Sequence, residues 1–487
     1  MSLLFAESGC RVFYFDPKEE QMEAAQGMAK DVGFNDKIVR QSGYEEICKS
    51  LESDSQPRLI IFSIPHGTPG DKCVEALRPH LKKGDIILDC SNEHWNNTER
   101  RQKDLESDGI YYLGCGVSGG YQSARAGPSM TPGGKKEALE KVLPLLRKVA
   151  AKDSDGKPCT GAIGPGGSGH YVKMVHNGIE QGMMSVIAEV WYILTKGLEL
   201  PYEKVADIFE AWNESEGLRN CFLVFIGVDI NRARDENGQY VLDKVQDKVV
   251  QDVDESEGTG TWTCEEAVRM HVPAATILSA HLFRCASADL ARRIANKNAA
   301  GGGVPPGKIL VDSIDEFVET LRRATYFCFL LSFVQGMNTI RKKDVEDGWG
   351  INYLDVLQAW KNGCIIRADD IVSLLEQAYS RADHDKEDLL SNEEVAGAVA
   401  AGFSSTKSVV LKAVEADMVV PAISQSLEHF KYSTSTELPT QFVEAQLDYF
   451  GEHMFDLKSE PPGVPVTGSH HFEWKPARGK VDEEKGK

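Results

Sequence analysis

The chain has 487 residues, enough for roughly two or three domains with substantial cores. Its 41% apolar and 26% charged residues are a globular composition, and a net charge of −20 argues against nucleic acid or an anionic membrane as partner. Eleven cysteines without a CxxC pair read as reduced thiols, no apolar run approaches the roughly 18 residues of a membrane span, and the short acidic start MSLLFAESG is not secretory; a cytoplasmic protein is expected.

Over residues 1–150 strand-like and helix-like pieces alternate. Residues 1–8 read as a helix. Residues 11–15, 59–64 and 85–89 are short apolar runs of buried-strand type, and 18–31 and 68–81 between them are helical. This is the pattern of a parallel, doubly wound, Rossmann-like α/β sheet, whose ligands bind beyond the carboxyl ends of the strands. Asp16 closes the first readable strand, where a carboxylate can accept both ribose hydroxyls of NAD. The competing reading of Asp16 is a turn residue at a strand end. A strand and a GxGxxG phosphate loop should open such a fold. Neither precedes the helix at 1–8, so both are expected upstream of residue 1, the start being misplaced or the loop lost.

The stretch 164–182, GPGGSGHYVKMVHNGIEQG, is the focus of the chain. Lys173, His176, Asn177 and Glu180 recur at i, i+3, i+4 and i+7, which puts all four on one helical face. An amine, an imidazole, an amide and a carboxylate so placed can supply a base, an acid and a substrate clamp. The plainer reading is a solvated polar face. The glycines ahead of the stripe allow close backbone approach at the helix start.

From 170 to about 435 the texture is helical: 186–196, 202–211, 264–271, 277–296, 321–337 and 353–360 show three-four spacing of apolar residues. Residues 297–308 read as an exposed loop. DHDKEDLLSNEE (383–394) has the acid spacing of an EF-hand but puts Asp388 where the sharp turn needs glycine, so a solvated acidic loop is expected. His470 and His471 are adjacent rather than at a ligand spacing, and no metal is expected. Residues 461–487 read as an extended tail. The expected domains are 1–166, 167–437 and 438–487.

GPGGSGHYVKMVHNGIE resembles the catalytic signature of the 6-phosphogluconate dehydrogenases, and the likeness extends over nearly the whole chain. The resemblance implies a Rossmann-like NAD(P)-binding domain, an all-α domain of the 6-phosphogluconate dehydrogenase C-terminal type and a tail that wraps the other subunit of a homodimer. It makes Lys173 the general base, Glu180 the general acid, and His176 and Asn177 substrate ligands. DCSNE places Asn92 between cofactor and substrate. Ser118, Gly119 and Gly120 of GVSGGYQSARAGPSMTPGG fall on the substrate carboxylate and hydroxyls, a triplet that can form an anion nest. Thr259 in EGTGTWTCEEAV and Arg284 in LFRCASA match phosphate ligands. Ile64, Pro65 and His66 match a cofactor contact, and His453 in DYFGEH matches a histidine donated across the dimer. WKNGCIIR (360–367) resembles a packing segment. The implied reaction is oxidative decarboxylation of 6-phosphogluconate to ribulose 5-phosphate and carbon dioxide.

The phosphate end departs from the family. Gln181 stands where a tyrosine is usual, Glu257 where a lysine is, and Leu447 where an arginine is. Charged hydrogen bonds contribute roughly 1.5–3 kcal/mol each, so losing two weakens a phosphate site substantially. Three readings stay open: a 6-phosphogluconate dehydrogenase with a rearranged phosphate site, the same chemistry on an unphosphorylated acid such as gluconate, and a non-catalytic dimeric homologue. The family's NADP users place an arginine and a threonine after the position of Asp16, where this chain has Pro17 and Lys18. Lys18 offers a 2′-phosphate only a point charge. NADP is the expected cofactor, with NAD possible.

Overall fold

Two parallel strands, β1 (Val12–Tyr14) and β2 (Ile38–Arg40), pair with one another. A second sheet runs in the order β3 (Leu59–Phe62), β4 (Ile86–Asp89), β5 (Tyr111–Ser118) and β6 (Ser129–Gly133). The computed structural model describes residues 1–52, 57–252, 258–381, 388–461 and 468–475. β3, β4 and β5 are parallel, with Ile60 opposite Ile87 and Leu88 opposite Leu113, and β6 returns antiparallel to β5. No ladder joins β1 to β3 among the described residues. The four residues of β4 are all buried, as a strand covered on both faces requires. Leu88, Leu113, Cys115 and Met130 pack against Leu139, Val142 and Leu146 of helix Lys136–Val149 on one face. Ile60, Phe62, Ile87 and Tyr112 pack with Leu77 and Leu105 on the other.

Beyond the sheet the chain is helical. Helix Ser168–Tyr192 is buried along most of its 25 residues and runs into one π turn at Ile193–Gly197. It packs on helix Ile314–Asp347, whose centre is buried almost without a break. Contact is close because glycines stand at the crossing: a Cβ on Gly336 would lie 2.4 Å from Ile179 Cγ1, and one on Gly182 would lie 2.9 Å from Ser332 Oγ.

The expected elements and the observed ones differ instructively. The single helix expected at 277–296 is two, Ala275–Ala288 and Leu290–Ala299, because the Asp289 carboxylate accepts the Arg292 N–H and starts a new helix. The antiparallel β5–β6 pair has no counterpart among the expected strands, since SMTPG carries a proline and a glycine where strand propensity calls for branched residues. Of the acidic loop, residues 382–387 lie outside the described residues. Asp388 accepts from the Leu390 N–H and from Asn338 Nδ2, so it serves as a cap.

Residues 1–429 form one compact unit and 430–487 another. In the second, helix Thr440–Gly451 presents Asp448, whose side chain is fully buried. It accepts from the Met454 and Phe472 N–H groups, Trp474 Nε1 and His471 Nδ1. Residues 468–475 of the expected extended tail are thereby folded back onto the helix. His470 instead bonds Glu460 at 2.9 Å, so the two adjacent histidines face different carboxylates. Among the described residues no helix is long and apolar enough to cross a membrane.

Candidate active site

The polar stripe is not a solvated face. Lys173 and His176 are buried, and Asn177 and Glu180 are half-buried. The helix start lies directly on the sheet: a Cβ on Gly169 would stand 2.3 Å from the Gly114 carbonyl oxygen and 2.5 Å from that of Thr131. The close approach allowed by GGSGH is therefore made to β5 and β6, which brings Lys173 over the end of β5.

Lys173 Nζ donates to Ser118 Oγ at 2.9 Å and to Asn177 Oδ1 at 2.8 Å. The same Asn177 oxygen accepts from His176 Nδ1 at 3.0 Å, and Asn177 Nδ2 donates to Thr259 Oγ1 at 2.9 Å. Ser118, Lys173, His176, Asn177 and Thr259 thus form one connected cluster from three elements distant in sequence. Burial, reinforced by the Lys173 charge, holds the His176 pKa well below its ordinary value, so the imidazole is neutral. With Nδ1 donating, its Nε2 is an acceptor, and it is buried without a hydrogen-bond partner among the described residues. Glu180 Oε2 lies 3.7 Å from His176 Nδ1.

Ser118 ends β5, and Gly119 and Gly120 follow with φ of +100° and +67°. The turn is backed by the 360–367 segment, since the Gly363 carbonyl oxygen would lie 2.3 Å from a Cβ on Gly119 and accepts the Ser129 N–H. Asn92 lies exposed just after β4, and Ile64, Pro65 and His66 just after β3. These loops are tied together by Glu93, a residue the sequence did not single out. Its carboxylate accepts from the Gly67 N–H at 2.8 Å and from Arg101 Nη1 at 2.7 Å, while Arg101 Nη2 donates to the Gly67 carbonyl. The His66 and His94 rings meet Trp262 edge-on, at 5.1 and 5.0 Å between centroids. Trp262 therefore links the strand ends to helix Gly258–Arg269.

Asp16 follows β1, and its Oδ1 accepts the Lys18 N–H at 2.8 Å, a turn contact. The ends of the parallel strands β1, β3 and β4 therefore carry Asp16, Lys18, Pro65, His66 and Asn92. Space is open on the Cβ side of Gly67 beside them, where a Cβ would meet nothing within 4 Å. Such an edge fits a dinucleotide.

Further along helix Ser168–Tyr192, Gln181 is buried, and its Oε1 accepts from His281 Nδ1 at 3.2 Å. Gly260 makes room for it: a Cβ there would stand 2.3 Å from Gln181 Nε2. Arg284 Nε donates to the buried Asp252 carboxylate at 2.7 Å. Asp252, His281 and Cys285 bring ligand atoms within 4.8 Å of one another. The Arg284 guanidinium pairs with Asp252, His281 bonds Gln181, and burial pushes the Cys285 thiol up, so the three belong to one hydrogen-bonded network. Glu257 lies outside the described residues. His453 belongs to the second unit, as does Leu447, which lines an apolar surface groove with Phe442, Val443 and Phe450.

Comparison with known proteins matches the chain to one family over nearly its whole length. Residues 1–164 match the NAD binding domain of 6-phosphogluconate dehydrogenase, and residues 169–474 match the 6-phosphogluconate dehydrogenase C-terminal domain. The chain is 41% identical to a decarboxylating 6-phosphogluconate dehydrogenase of Emericella nidulans, over 98% of this chain and 99% of that protein. It is 38% identical to decarboxylating 6-phosphogluconate dehydrogenase 2 of Arabidopsis thaliana, over 97% and 94%. A solved structure of Plasmodium falciparum 6-phosphogluconate dehydrogenase, studied with NADP+ and with 6-phosphogluconate, superposes with a TM-score of 0.86 at 31% identity, covering 97% of each chain.

Proposed function

The chain belongs to the 6-phosphogluconate dehydrogenase family, and from that premise we propose that it oxidises 6-phosphogluconate at C3 with NADP and decarboxylates it to ribulose 5-phosphate. The observation that carries this reading is the buried cluster around Lys173, with an amine held by two polar side chains beside an unmatched acceptor on His176. Bound NADP supplies the hydride acceptor.

Lys173, neutral in the reactive state, takes the proton of the C3 hydroxyl. Ser118 and Asn177 fix its amine, so little ordering remains to be done when substrate arrives. His176 Nε2 accepts from a substrate hydroxyl and thereby satisfies a buried group that has no partner among the described residues. The resulting 3-keto acid loses carbon dioxide because its ketone accepts the electron pair, and protonated Lys173 stabilises the enolate. Glu180, on the same face of the helix about two turns further on, protonates the enediol carbon. Asn92 and the Ser118–Gly120 turn hold the substrate carboxylate and hydroxyls, and Thr259 and Arg284 hold its phosphate. Asp16, Lys18 and the loop Ile64, Pro65 and His66 receive the cofactor.

The exposed apolar face of helix Thr440–Gly451, with Phe442, Val443, Tyr449 and Phe450, supports a homodimer in which His453 serves the partner's site. All eleven cysteines are free thiols, which supports a cytoplasmic location. The test is product stoichiometry with 6-phosphogluconate and NADP. One NADPH and one carbon dioxide per ribulose 5-phosphate are expected; NADPH without carbon dioxide would reduce the reading to a simple dehydrogenase.

A further inference from the structure

Arg284 is matched by Asp252 in a buried ion pair, so as a unit the two carry no net charge towards a phosphate dianion. Gln181 lies about two turns beyond Lys173 on the same helix, towards the far end of a substrate reacting over Lys173. It leads to a second group. Gln181 Oε1 can only accept, so His281 Nδ1 carries the proton of their 3.2 Å bond. In the neutral ring Nε2 is then an acceptor, and its neighbours suit that role: the Thr261 hydroxyl is 3.3 Å away and the Cys285 thiol 3.7 Å away. His281 and Arg284 stand at i and i+3 on helix Ala275–Ala288, hence on one face of it.

Resting on the reading of Thr259 and Arg284 as the phosphate ligands, we propose that His281 is a specificity-determining residue for the phosphate end: it takes a proton at Nε2 from the solvent as the phosphorylated substrate binds, and becomes the second cation there. An acceptor nitrogen repels a phosphate oxygen, whereas an imidazolium donates to it, so the proton is what converts the network into a phosphate ligand. The ring stays pinned through Nδ1 to Gln181 in both states, and the Thr261 hydroxyl is released to rotate. The groups around the ring are Asp252 from the preceding segment, Arg284 and Cys285 from its own helix, Thr261 from helix Gly258–Arg269, and Gln181; Cys264 of that helix faces Cys285. Burial first, and the Arg284 charge, hold the free imidazole below its ordinary pKa, against Asp252, so the proton is absent before substrate arrives.

The test is calorimetric binding of 6-phosphogluconate to the full chain at about pH 8, in buffers of different ionisation enthalpy, where a phosphate monoester with a pKa of about 6 is already a dianion. The wild type is expected to take up between about half and one proton per substrate bound. His281→Asn and His281→Gln, each checked for an intact melting transition, should lose that uptake. They should also lower the preference for 6-phosphogluconate over gluconate about tenfold. No uptake in the wild type, or the same uptake in both variants, overturns the proposal and leaves the proposed reaction standing. Binding with proton uptake but without turnover overturns the reaction and leaves His281 in place; failure to bind 6-phosphogluconate overturns both.

Discussion

Gly116 lies directly against Lys173: a methyl group on Gly116 would stand 2.3 Å from Lys173 Cβ and 2.4 Å from Thr131 Oγ1. Strand alternation puts Ser118 on the same face of β5, and Ser118 Oγ is the acceptor that fixes Lys173 Nζ. The missing side chain at Gly116 therefore sets the depth at which the amine sits.

Gly116→Ala is expected to overpack this contact, costing about 1–3 kcal/mol of stability and moving Nζ away from Ser118. Turnover should fall by more than substrate affinity does. Unchanged kcat together with an unchanged melting temperature would show that the neighbours give way freely.

Glu180→Gln should slow product release from the enediol stage while hydride transfer at C3 continues, because the acid acts after the hydride has left. Its carboxylate lies 3.7 Å from the His176 imidazole, which is neutral. Detection of the 3-keto stage by hydride exchange is the measurement. Equal and complete loss of both steps would contradict the order of roles.

Glu189 provides a pH dependence of stability unrelated to catalysis. It is buried on helix Ser168–Tyr192 and accepts the Ala422 and Ile423 N–H groups at 2.8 and 2.9 Å, besides the Ser185 hydroxyl. Burial outweighs these donors and pushes its carboxyl up to about 7 from an ordinary 4.5. A carboxyl raised in the folded state contributes stability that is fully present below 4.5 and is lost as pH rises through about 7, on the order of 3 kcal/mol. Denaturant unfolding at about pH 5 and about pH 8 should show this loss in the wild type and a flatter profile in Glu189→Gln. An identical slope in both proteins would assign the pH dependence to other groups.

Asp16 bears on the choice of cofactor. Its Oδ1 is engaged by the Lys18 N–H, which fixes the carboxylate at the end of β1, where it would accept ribose hydroxyls and repel a 2′-phosphate. Asp16→Asn should shift the ratio of catalytic efficiencies towards NADP over NAD. An unchanged ratio would place Asp16 outside the ribose site.

The stripe was legible in the sequence because helical spacing is local: Lys173, His176, Asn177 and Glu180 needed only the 3.6-residue period to share a face. The strands at β1, β3 and β4 were legible as apolar runs of buried type. What sequence alone could not supply were relations between distant residues. Nothing local to Gly116 says that Lys173 covers it, and nothing local to Arg284 says that Asp252 neutralises it, 32 residues earlier. The Glu93–Arg101 pair gripping Gly67, and Trp262 between two histidines, are likewise products of the fold. The antiparallel β5–β6 pair escaped because its second strand carries a proline and a glycine, and it is the distant helix start that requires Gly133: a Cβ there would stand 2.4 Å from the Gly169 nitrogen.

The central claim is that Lys173 is the base of the oxidation, and single-turnover hydride transfer tests it most directly. Enzyme saturated with 6-phosphogluconate and NADP is followed for NADPH in the first turnover, for wild type and for Lys173→Ala. The variant is expected to melt cooperatively, to bind both ligands and to form no NADPH on the wild-type timescale. A first turnover that persists at the wild-type rate in Lys173→Ala would contradict the assignment.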